Sequence, residues 1–249
     1  MPLHRLLLDM PPPTEGQVLL TGEHAHYLYR VLRLRPGDRF VAAFGAGGEA
    51  VATLLEASPD RVTAAVGQLR PVACETGAAV TLLVGLPKGQ KLDLVIEKAT
   101  ELGVHTILPV VCLRSVPRPG AERLTGRLER WRRIARSAAT QSGRTEPPGI
   151  ERPVPLAEAL RRSAEHDVSV AFGWEGEGLS AVPLAAALSG APERVALLVG
   201  PEGGLAPEEL QAAAAAGWRL VSLGPRTLRC ETAAIVASAL VLYVLGELG

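Results

Sequence analysis

The chain has few cysteines and no arrangement of residues typical of a metal site. Its three cysteines, at positions 74, 112 and 230, are widely spaced, and none belongs to a C-x-x-C pair. This usage argues against a disulfide framework and a zinc site, and it fits a reducing cytoplasm. His24 and His26 form the one close histidine pair and have no third ligand nearby in the sequence. We therefore expect no metal and a cytoplasmic location.

Long apolar runs are also missing. The most apolar stretch, residues 233–245, is shorter than the roughly 20 residues that a membrane span requires. The N-terminus shows neither the apolar region nor the cleavage site of a signal peptide. We expect no membrane association, and we interpret 233–245 as a buried helix that is a candidate for a subunit contact.

Net charge and aromatic content restrict the possible partners. The 26 basic residues balance 26 acidic ones, so any surface that attracts nucleic acid must be local. Aromatic residues make up 4% of the chain, which favours structured RNA over a long single strand that stacks base by base. Lysine occurs only three times, so 23 of the cations are arginine, which can grip phosphate with two hydrogen bonds. A bias in genomic base composition or a hot habitat would give the same excess of arginine.

The known signatures of nucleotide binding and hydrolysis are absent. The chain has no phosphate loop of the form G-x-x-x-x-G-K-[ST], no G-x-G-x-x-G after a strand and no G-x-S-x-G nucleophile elbow. A bound cofactor must therefore be held by another kind of loop.

The pattern of apolar residues predicts two domains, 1–72 and 73–249. Short strands and turns fill the first, which predicts a small barrel or sandwich with one helix over 22–33. Strands and helices alternate in the second, which predicts an α/β fold with a mostly parallel sheet covered on both faces. The strands are expected over 39–44, 49–55 and 61–66 in the first domain, and over 80–85, 105–111, 168–172, 194–199 and 218–223 in the second. Helices are expected near 92–102 and over 121–141.

Two glycine-bearing segments mark the expected ligand site. They are GPEGG at 200–204 and LGPRTLRCETA at 223–233, and each lies between a strand-like run and a helix-like run. Both are therefore expected at the carboxyl ends of parallel strands, where α/β sheets bind ligands. Glycine and proline leave main-chain N–H and C=O groups accessible, which suits a small polar cofactor.

An arginine-rich strip lies within the second predicted domain. From residue 112 to 152, ten arginines outnumber four acidic residues, and the excess continues from the helix predicted over 121–141 into a polar loop. We interpret the strip as a phosphate-binding surface, with a solvated helix face as the alternative. The residues expected to contact RNA are Arg130, Arg133 and Arg136 of the helix, Gln141 and Arg144 of the loop, and Arg30 and Arg33 of the first domain.

Four segments together resemble a known family. In order along the chain they are EKATELGV at 97–104, QSGR at 141–144, and the two glycine-bearing segments. They are similar in sequence and spacing to the bacterial 16S ribosomal RNA uridine-N3 methyltransferases (ribosomal RNA small subunit methyltransferase E), and segment 26–38 resembles the opening element of that family. The resemblance covers essentially the whole chain. It departs at Cys230, where the family usually has threonine.

The resemblance implies a fold, a cofactor and partners. It implies a PUA-like RNA-binding β-barrel over 1–72, a SPOUT-type methyltransferase domain with a trefoil knot over 73–249, and a homodimer. It also implies S-adenosylmethionine as cofactor and the 16S ribosomal RNA of the small subunit as substrate. The loop after Phe172 would form a third wall of the cofactor site. The residues carried over as cofactor-binding are Phe172, Gly173, Leu198, Val199, Gly200, Pro201, Glu202, Gly203, Gly204, Leu223, Gly224, Leu228, Arg229 and Cys230.

Methyl transfer to uridine N3 requires a group that takes the N3 proton and a group that stabilises charge on the ring carbonyls. We consider Glu202 or Glu231 for the proton and Arg229 or Arg136 for the carbonyls. Three of these four residues also have an alternative role. Glu231 could complement a helix dipole, Glu202 could shape its loop, and Arg226 and Arg229 could hold RNA phosphate.

Two other functions are compatible with the sequence. One is a non-catalytic RNA-binding factor of ribosome assembly that keeps the fold as a scaffold. The other is a methyltransferase that acts on a different RNA site. The intact glycines of both loops favour an enzyme, because a scaffold without a ligand does not need them.

Overall fold

The computed structural model divides the chain into two compact units. Unit 1 consists of Met1–Glu75 and Ala139–Glu146, and unit 2 consists of Thr76–Ala138 and Pro147–Gly249. The structure describes residues 3–45, 48–72, 74–116, 121–173 and 181–249, without the side chains of 121–123. Most of the loop predicted as a third wall, residues 174–180, lies outside the described residues. The predicted sequence boundary after residue 72 remains a proposal.

Unit 1 is built on a five-stranded sheet. The pairings are antiparallel except for the first, and the order is β1-β3-β4-β5-β2. The strands are β1 (Arg5–Leu7), β2 (Gln17–Thr21), β3 (Arg39–Ala43), β4 (Glu49–Ala57) and β5 (Arg61–Val66). Alternate residues are buried along β2, where Val18 and Leu20 join the core, as expected for a half-buried strand. The three strands predicted in this domain are confirmed to within two residues.

The helix predicted over 22–33 ends earlier than expected. Helix α1 (Gly22–His26) continues as a π-helical segment, Tyr27–Val31, and the Leu32 amide donates to the Tyr27 carbonyl at 2.9 Å. Arg33 then adopts a φ of 55°. A residue in the left-handed region cannot continue a right-handed helix, so the helical geometry stops before Arg33.

Unit 2 contains a seven-stranded sheet whose described pairings are all parallel. The order is β12-β10-β11-β6-β7-β8, and β9 pairs with β7 as well. The strands are β6 (Ala79–Gly85), β7 (Thr106–Val111), β8 (Gly149–Ile150), β9 (Val154–Pro155), β10 (Val168–Phe172), β11 (Arg194–Val199) and β12 (Arg219–Val221). The predicted α/β class is therefore confirmed. The knot that the resemblance implies stays a prediction.

Both faces of this sheet are covered. Along β11, Val195 and Leu197 belong to one hydrophobic cluster, whereas Ala196 and Leu198 belong to the other. Because neighbouring strand residues point to opposite faces, the alternation places one cluster on each side of the sheet. The nearly continuous apolar sequence of β11 is typical of a strand buried in this way.

Six α-helices are described that belong wholly or mostly to unit 2. They are α2 (Lys91–Leu102), α3 (Ala121–Ser142), α4 (Leu156–Arg162), α5 (Leu184–Ala187), α6 (Pro207–Ala215) and α7 (Cys230–Val244). Helix α2 ends at Gly103, whose φ of 107° is the left-handed conformation expected of a glycine after a helix. The apolar run 233–245 lies almost wholly in α7, which begins three residues before it.

Several short elements were not predicted. Strands β8 and β9 have two residues each, and α4 has seven, so none is long enough to show a clear hydrophobic period. The strand predicted over 218–223 is shorter in the structure, where β12 covers Arg219–Val221. These differences leave the order of the long elements unchanged.

Candidate functional site

A cavity of about 410 Å³ in unit 2 lies at the end of β10 and between the loops that follow β11 and β12. Its position at the carboxyl ends of neighbouring parallel strands is where open α/β sheets bind ligands. The residues that line it are Arg114, Phe172, Gly173, Val199, Gly200, Pro201, Glu202, Gly203, Gly204, Leu205, Leu210, Leu223, Gly224, Arg226, Thr227, Leu228, Cys230 and Ala233.

One wall of the cavity is main chain packed too closely for side chains. A Cβ atom on Gly85, the last residue of β6, would lie 2.4 Å from the nitrogen of Pro201. A Cβ atom on Gly200 would lie 2.8 Å from the nitrogen of Leu205. The loop is closed by a turn in which the Gly204 amide donates to the Pro201 carbonyl at 2.9 Å. Glycine is therefore required where the loop touches β6 and where it touches itself.

The structure brings together most of the residues that the sequence assigned to a cofactor. All of them line the cavity except Leu198 and Arg229. Leu198 is fully buried in the core cluster beneath the site. Arg229 caps the N-terminus of α7 and is exposed.

Other lining residues were not predicted. Leu205 and Leu210 lie in and after the loop that begins at Gly200, and Thr227 and Ala233 lie in the second glycine-bearing segment. Arg226, predicted as an RNA contact, also lines the cavity. Arg114 comes from the loop after β7, and the rule that ligands bind at the carboxyl ends of strands could have pointed to it.

Arg114 fastens the GPEGG loop. Its Nη1 donates to the carbonyl of Gly203 at 3.0 Å and to that of Leu205 at 3.3 Å. A Cβ atom on Gly203 would lie 3.0 Å from the Cβ of Arg114, so the arginine stem packs directly on this glycine. Gly203 therefore allows contact with Arg114. A side chain at this position would point toward Arg114.

Glu202 is held as a carboxylate beside the cavity. Its Oε1 accepts hydrogen bonds from the Lys88 amide at 3.0 Å and from Nζ of Lys91 at 2.9 Å. Burial would raise the pKa of Glu202, but these two hydrogen bonds outweigh burial and lower the pKa below its ordinary value. The hydrogen bond between Lys91 and Glu202 also raises the pKa of Lys91. Glu202 is therefore ionised at neutral pH.

Glu231 shares the same lysine but does not line the cavity. Its Oε2 lies 3.6 Å from Nζ of Lys91, and this buried oxygen accepts no hydrogen bond from the described residues. Glu231 lies in the first turn of α7, where a carboxylate also complements the helix dipole.

Cys230 lines the cavity as a neutral thiol. Its Sγ lies 3.9 Å from the carbonyl oxygen of Gly85, a distance at the limit of a weak hydrogen bond. Burial raises the pKa of Cys230 to about 12, and the carboxylates of Glu202 and Glu231 contribute to the rise. The thiol is protonated at neutral pH and is not an activated nucleophile.

The predicted basic strip is heterogeneous along α3. The Arg130 guanidinium pairs with Asp93 of α2 at 2.6 Å, and half of its side chain remains exposed. Arg133 is exposed and makes no ion pair with any described residue. Arg136 is only partly exposed and interacts with other groups. Of these three, Arg133 has the most accessible charge.

Arg144 differs from its prediction as an RNA contact. Its side chain is 3% exposed, and its Nε donates to Glu75 at 3.0 Å within unit 1. The same carboxylate accepts from the Thr145 amide at 2.8 Å. The guanidinium is committed to this buried pair, so the structure offers no free Arg144 charge to a phosphate. Gln141, three residues earlier, is exposed.

The two arginines predicted as RNA contacts in unit 1, Arg30 and Arg33, are exposed, and Arg30 lies near a tyrosine. The guanidinium carbons of Arg30 and Arg35 each lie 5.7 Å from the centre of the Tyr29 ring. Arg33 lies between them in sequence and is exposed. This patch combines positive charge with an aromatic ring, as surfaces that bind nucleic acid often do.

Two further properties of the described residues bear on other functions. No group of three or more histidine, cysteine, aspartate and glutamate side chains within them is placed to hold a metal ion. Among the helices they form, none is both long and apolar enough to cross a bilayer.

Comparison with known proteins gives matches to both parts of the chain. Residues 74–242 match the family model of the RNA methyltransferase domain, and residues 20–66 match that of the RNA methyltransferase PUA domain. The chain is 34% identical to the ribosomal RNA small subunit methyltransferase E of Bacillus subtilis, over 90% of this chain and 89% of that protein. It is 34% identical to the protein of the same name from Mycobacterium tuberculosis, over 92% and 87%.

A solved structure is similar over nearly the full length. It is the ribosomal RNA small subunit methyltransferase E of Neisseria gonorrhoeae bound to S-adenosyl methionine, with a TM-score of 0.87 and 29% sequence identity. The match covers 97% of this chain and 98% of that one.

Proposed function

The chain belongs to the ribosomal RNA small subunit methyltransferase E family, and from this we propose that it methylates N3 of a uridine in 16S ribosomal RNA, with S-adenosylmethionine as the methyl donor. The observation that carries the proposal is the cavity at the ends of β10, β11 and β12. Its walls are the segments that the family resemblance assigns to the cofactor.

The cavity fits S-adenosylmethionine in size and chemistry. About 410 Å³ lies within the range of pockets that enclose a ligand of this size. Main-chain groups of the two glycine-bearing segments can bind the polar edges of an adenine, while leucines such as Leu205, Leu223 and Leu228 pack on its faces. When bound, S-adenosylmethionine supplies a methyl group on a positively charged sulfur.

Glu202 supplies a negative charge to this site. Among the described residues that line the cavity it is the one carboxylate, and Lys91 and the Lys88 amide keep it ionised. A fixed carboxylate at this wall complements a sulfonium charge. It is also the better placed of the two carboxylates considered for the N3 proton, because Glu231 does not line the cavity.

The two arginines considered for charge on the uracil carbonyls remain candidates. Neither Arg229 nor Arg136 lines the cavity. Arg229 is exposed one residue before Cys230, so it can approach a substrate at the rim. Arg226, which lines the cavity and is exposed, is suited to hold an RNA phosphate there.

RNA binding is assigned to exposed basic residues of both units. In unit 1 these are Arg33 and Arg30, of which Arg30 lies beside Tyr29, and on α3 they are Arg130 and Arg133. Phosphate contacts of this kind position the RNA without selecting its sequence. Because the net charge is zero, we expect useful affinity to require a large preassembled RNA surface, that of the small subunit.

We further propose that the protein is a cytoplasmic homodimer. Helix α7 carries exposed apolar side chains, of which Leu240, Tyr243 and Val244 are 40%, 64% and 36% exposed. A patch of this kind on a helix without basic residues is suited to a second copy of the same surface. A cytoplasmic location follows from a ribosomal substrate.

The proposed reaction is tested with small ribosomal subunits from a strain that lacks the gene. The purified protein and S-adenosylmethionine with an isotope-labelled methyl group are added, and the nucleosides of the 16S RNA are analysed by mass spectrometry. We expect the label in N3-methyluridine. Label in another nucleoside would support a different RNA target. Failure to bind S-adenosylmethionine at millimolar concentration in calorimetry would support the non-catalytic scaffold.

A further inference from the structure

Arg114 belongs by sequence to the basic strip, but a role in binding phosphate does not explain its position at the cavity. It follows β7, two strands from β11 in the sheet, and still lines the cavity next to Gly203. The carbonyl groups of Gly203, in the GPEGG loop, and of Leu205, just after it, fix one end of its guanidinium. The side chain is therefore oriented by the protein before any ligand arrives.

The remaining hydrogen-bond donors of Arg114 have no partner among the residues that the structure describes. A guanidinium has five N–H groups, and only Nη1 is used, for Gly203 and Leu205. Nε and Nη2 donate to no group in the described chain, and no carboxylate there forms an ion pair with Arg114. The residue is exposed overall. It therefore presents an uncompensated positive charge and unused donors at the cavity.

No other arginine of the described chain combines these properties. Arg226 lines the cavity, but no contact fixes its side chain. Arg229 does not line the cavity. Arg136 does not line it either, and it already interacts with other groups. A charge that must be aimed at one atom of a substrate is best supplied by a group that is oriented in advance.

The chemistry of the proposed reaction requires such a group. The N3–H bond of uracil breaks, and the proton passes to Glu202 or to water. The electron pair left on N3, partly shared with O2 and O4, forms the bond to the methyl carbon. The bond from that carbon to the donor sulfur breaks, and its pair stays on sulfur. Negative charge on the ring is therefore largest before the new bond is complete.

We propose that Arg114 is a catalytic residue that donates a hydrogen bond to a ring carbonyl of the target uracil and stabilises this charge. The inference rests on the proposed function and adds a residue to it. N3 itself must keep its electron pair free, so the hydrogen bond goes to O2 or O4. The planar fork of arginine can hold the loop carbonyls on one side and the uracil oxygen on the other.

The test compares Arg114→Met and Arg114→Lys with a matched control, Arg161→Met. Arg161 is also an exposed arginine of unit 2 that donates to a main-chain carbonyl, that of Ala157 at 3.3 Å, but it does not line the cavity. For each variant, the single-turnover rate on small subunits is measured from pH 6 to 9.5 at saturating S-adenosylmethionine. Calorimetry gives the dissociation constant of S-adenosylmethionine, and thermal unfolding shows that the variant is folded.

We expect Arg114→Met to slow methyl transfer by about 10²–10³-fold at pH 7, as for the loss of one donor to a developing oxyanion. Its dissociation constant for S-adenosylmethionine should change far less than the rate, because the Gly204–Pro201 turn and the contact of Lys88 with Glu202 still hold the GPEGG loop. The rate of the variant should keep rising with pH after that of the wild type has levelled off, because without Arg114 the N3 proton is lost at a higher pH. Arg114→Lys, which keeps a charge but not the fork, should be slowed less, and Arg161→Met should behave as the wild type.

Two results would overturn the inference while the proposed function stands. The first is turnover of Arg114→Met at the wild-type rate. The second is a loss of rate matched by an equal loss of cofactor affinity with an unchanged pH profile, which would assign Arg114 to the loop or the cofactor. Absence of N3-methyluridine from the wild-type reaction would overturn the proposed function and the inference together.

Discussion

At the scale of single residues, the site depends on positions where a side chain cannot be present. Gly85 and Gly200 bring strand β6 and the GPEGG loop into direct main-chain contact. The sequence predicted the glycines of the two loops, because they stand in short segments between a strand and a helix. It did not single out Gly85, because one glycine at the end of an apolar strand has no local signal for the loop that packs on it.

Gly85→Ala should damage the cofactor site. The added methyl group would overlap Pro201, so the GPEGG loop must shift away from β6. We expect a loss of about 1–3 kcal/mol in the free energy of unfolding, as for other overpacked sites. The affinity for S-adenosylmethionine should fall at least about tenfold by calorimetry, since a shift of the loop disturbs the backbone contacts that we assign to the ligand.

Gly126→Ala is the control for this substitution. Gly126 lies inside α3, where an added Cβ would meet no described atom within 4 Å outside the nearby backbone of its own helix, and alanine there should stabilise the helix by about 0.5–1 kcal/mol. Cofactor affinity should not change in this variant. Normal affinity in Gly85→Ala would show that the loop can move without affecting the ligand.

The charged residues of the site could be predicted only in part. Glu202 was found because it stands inside a glycine-bearing segment. Its partners Lys88 and Lys91 are more than 110 positions away in the chain, and only the folded sheet brings them together. Arg114 was missed for the same reason. A residue after a strand is common in any α/β sequence, and its two contacts with the loop after β11 are tertiary.

At the scale of elements, helix α3 illustrates the difference between a charge pattern and an accessible charge. The spacing of its arginines predicted a basic strip, and Arg130 and Arg133 are exposed, whereas Leu128, Trp131 and Ala135 of the same helix are buried. The spacing could not show that Asp93 of α2 neutralises Arg130 or that Arg133 has no such partner. The next polar segment contains Arg144, whose burial against Glu75 no local pattern predicts.

Arg133→Ala should therefore weaken RNA binding more than Arg130→Ala. A free arginine that contacts a phosphate releases about one counterion, so its loss should reduce the slope of log affinity against log salt by about 1. Arg130 already pairs with Asp93, and its loss should reduce the slope by less. Filter binding to a fragment of 16S RNA at several salt concentrations measures both slopes.

Arg161→Ala serves as the control for general charge, because Arg161 lies on α4, outside the predicted strip. An equal reduction of the slope in all three variants would support the alternative that the arginines of α3 form a solvated helix face and not an RNA-binding surface.

At the scale of the whole molecule, the order of strands and helices was predictable and the grouping of segments was not. Long strands such as β10 and β11 were placed to the residue, because buried parallel strands are continuous apolar runs. Unit 1, however, includes Ala139–Glu146, and Ala139 belongs to one hydrophobic cluster with Leu7 and Ala43. Contacts between residues so far apart in sequence produce no local hydrophobic periodicity from which they could be predicted.

The proposed homodimer is also a property of the whole molecule. If α7 forms the proposed homodimer contact, Tyr243→Asp should dissociate it, because a two-fold contact buries the new charge twice. We expect the dissociation constant of the dimer to rise at least about a hundredfold, measured by sedimentation velocity over a range of concentrations.

Leu55→Asp is the matched control for Tyr243→Asp. Leu55 is an exposed apolar residue of β4 in unit 1, 43% accessible to solvent, and its replacement should leave the dimer intact. A dimer that persists in Tyr243→Asp would exclude α7 as the contact.

The main-chain wall at Gly85, Gly200 and Pro201 has a practical consequence for inhibition. Resistance to a drug commonly arises when a substituted side chain blocks the bound compound or withdraws a contact. A compound that forms its hydrogen bonds with this backbone would depend on few side chains that could change. Because Gly85 and Gly200 have no room for a methyl group, substitution at either would displace the main chain of the cofactor site itself.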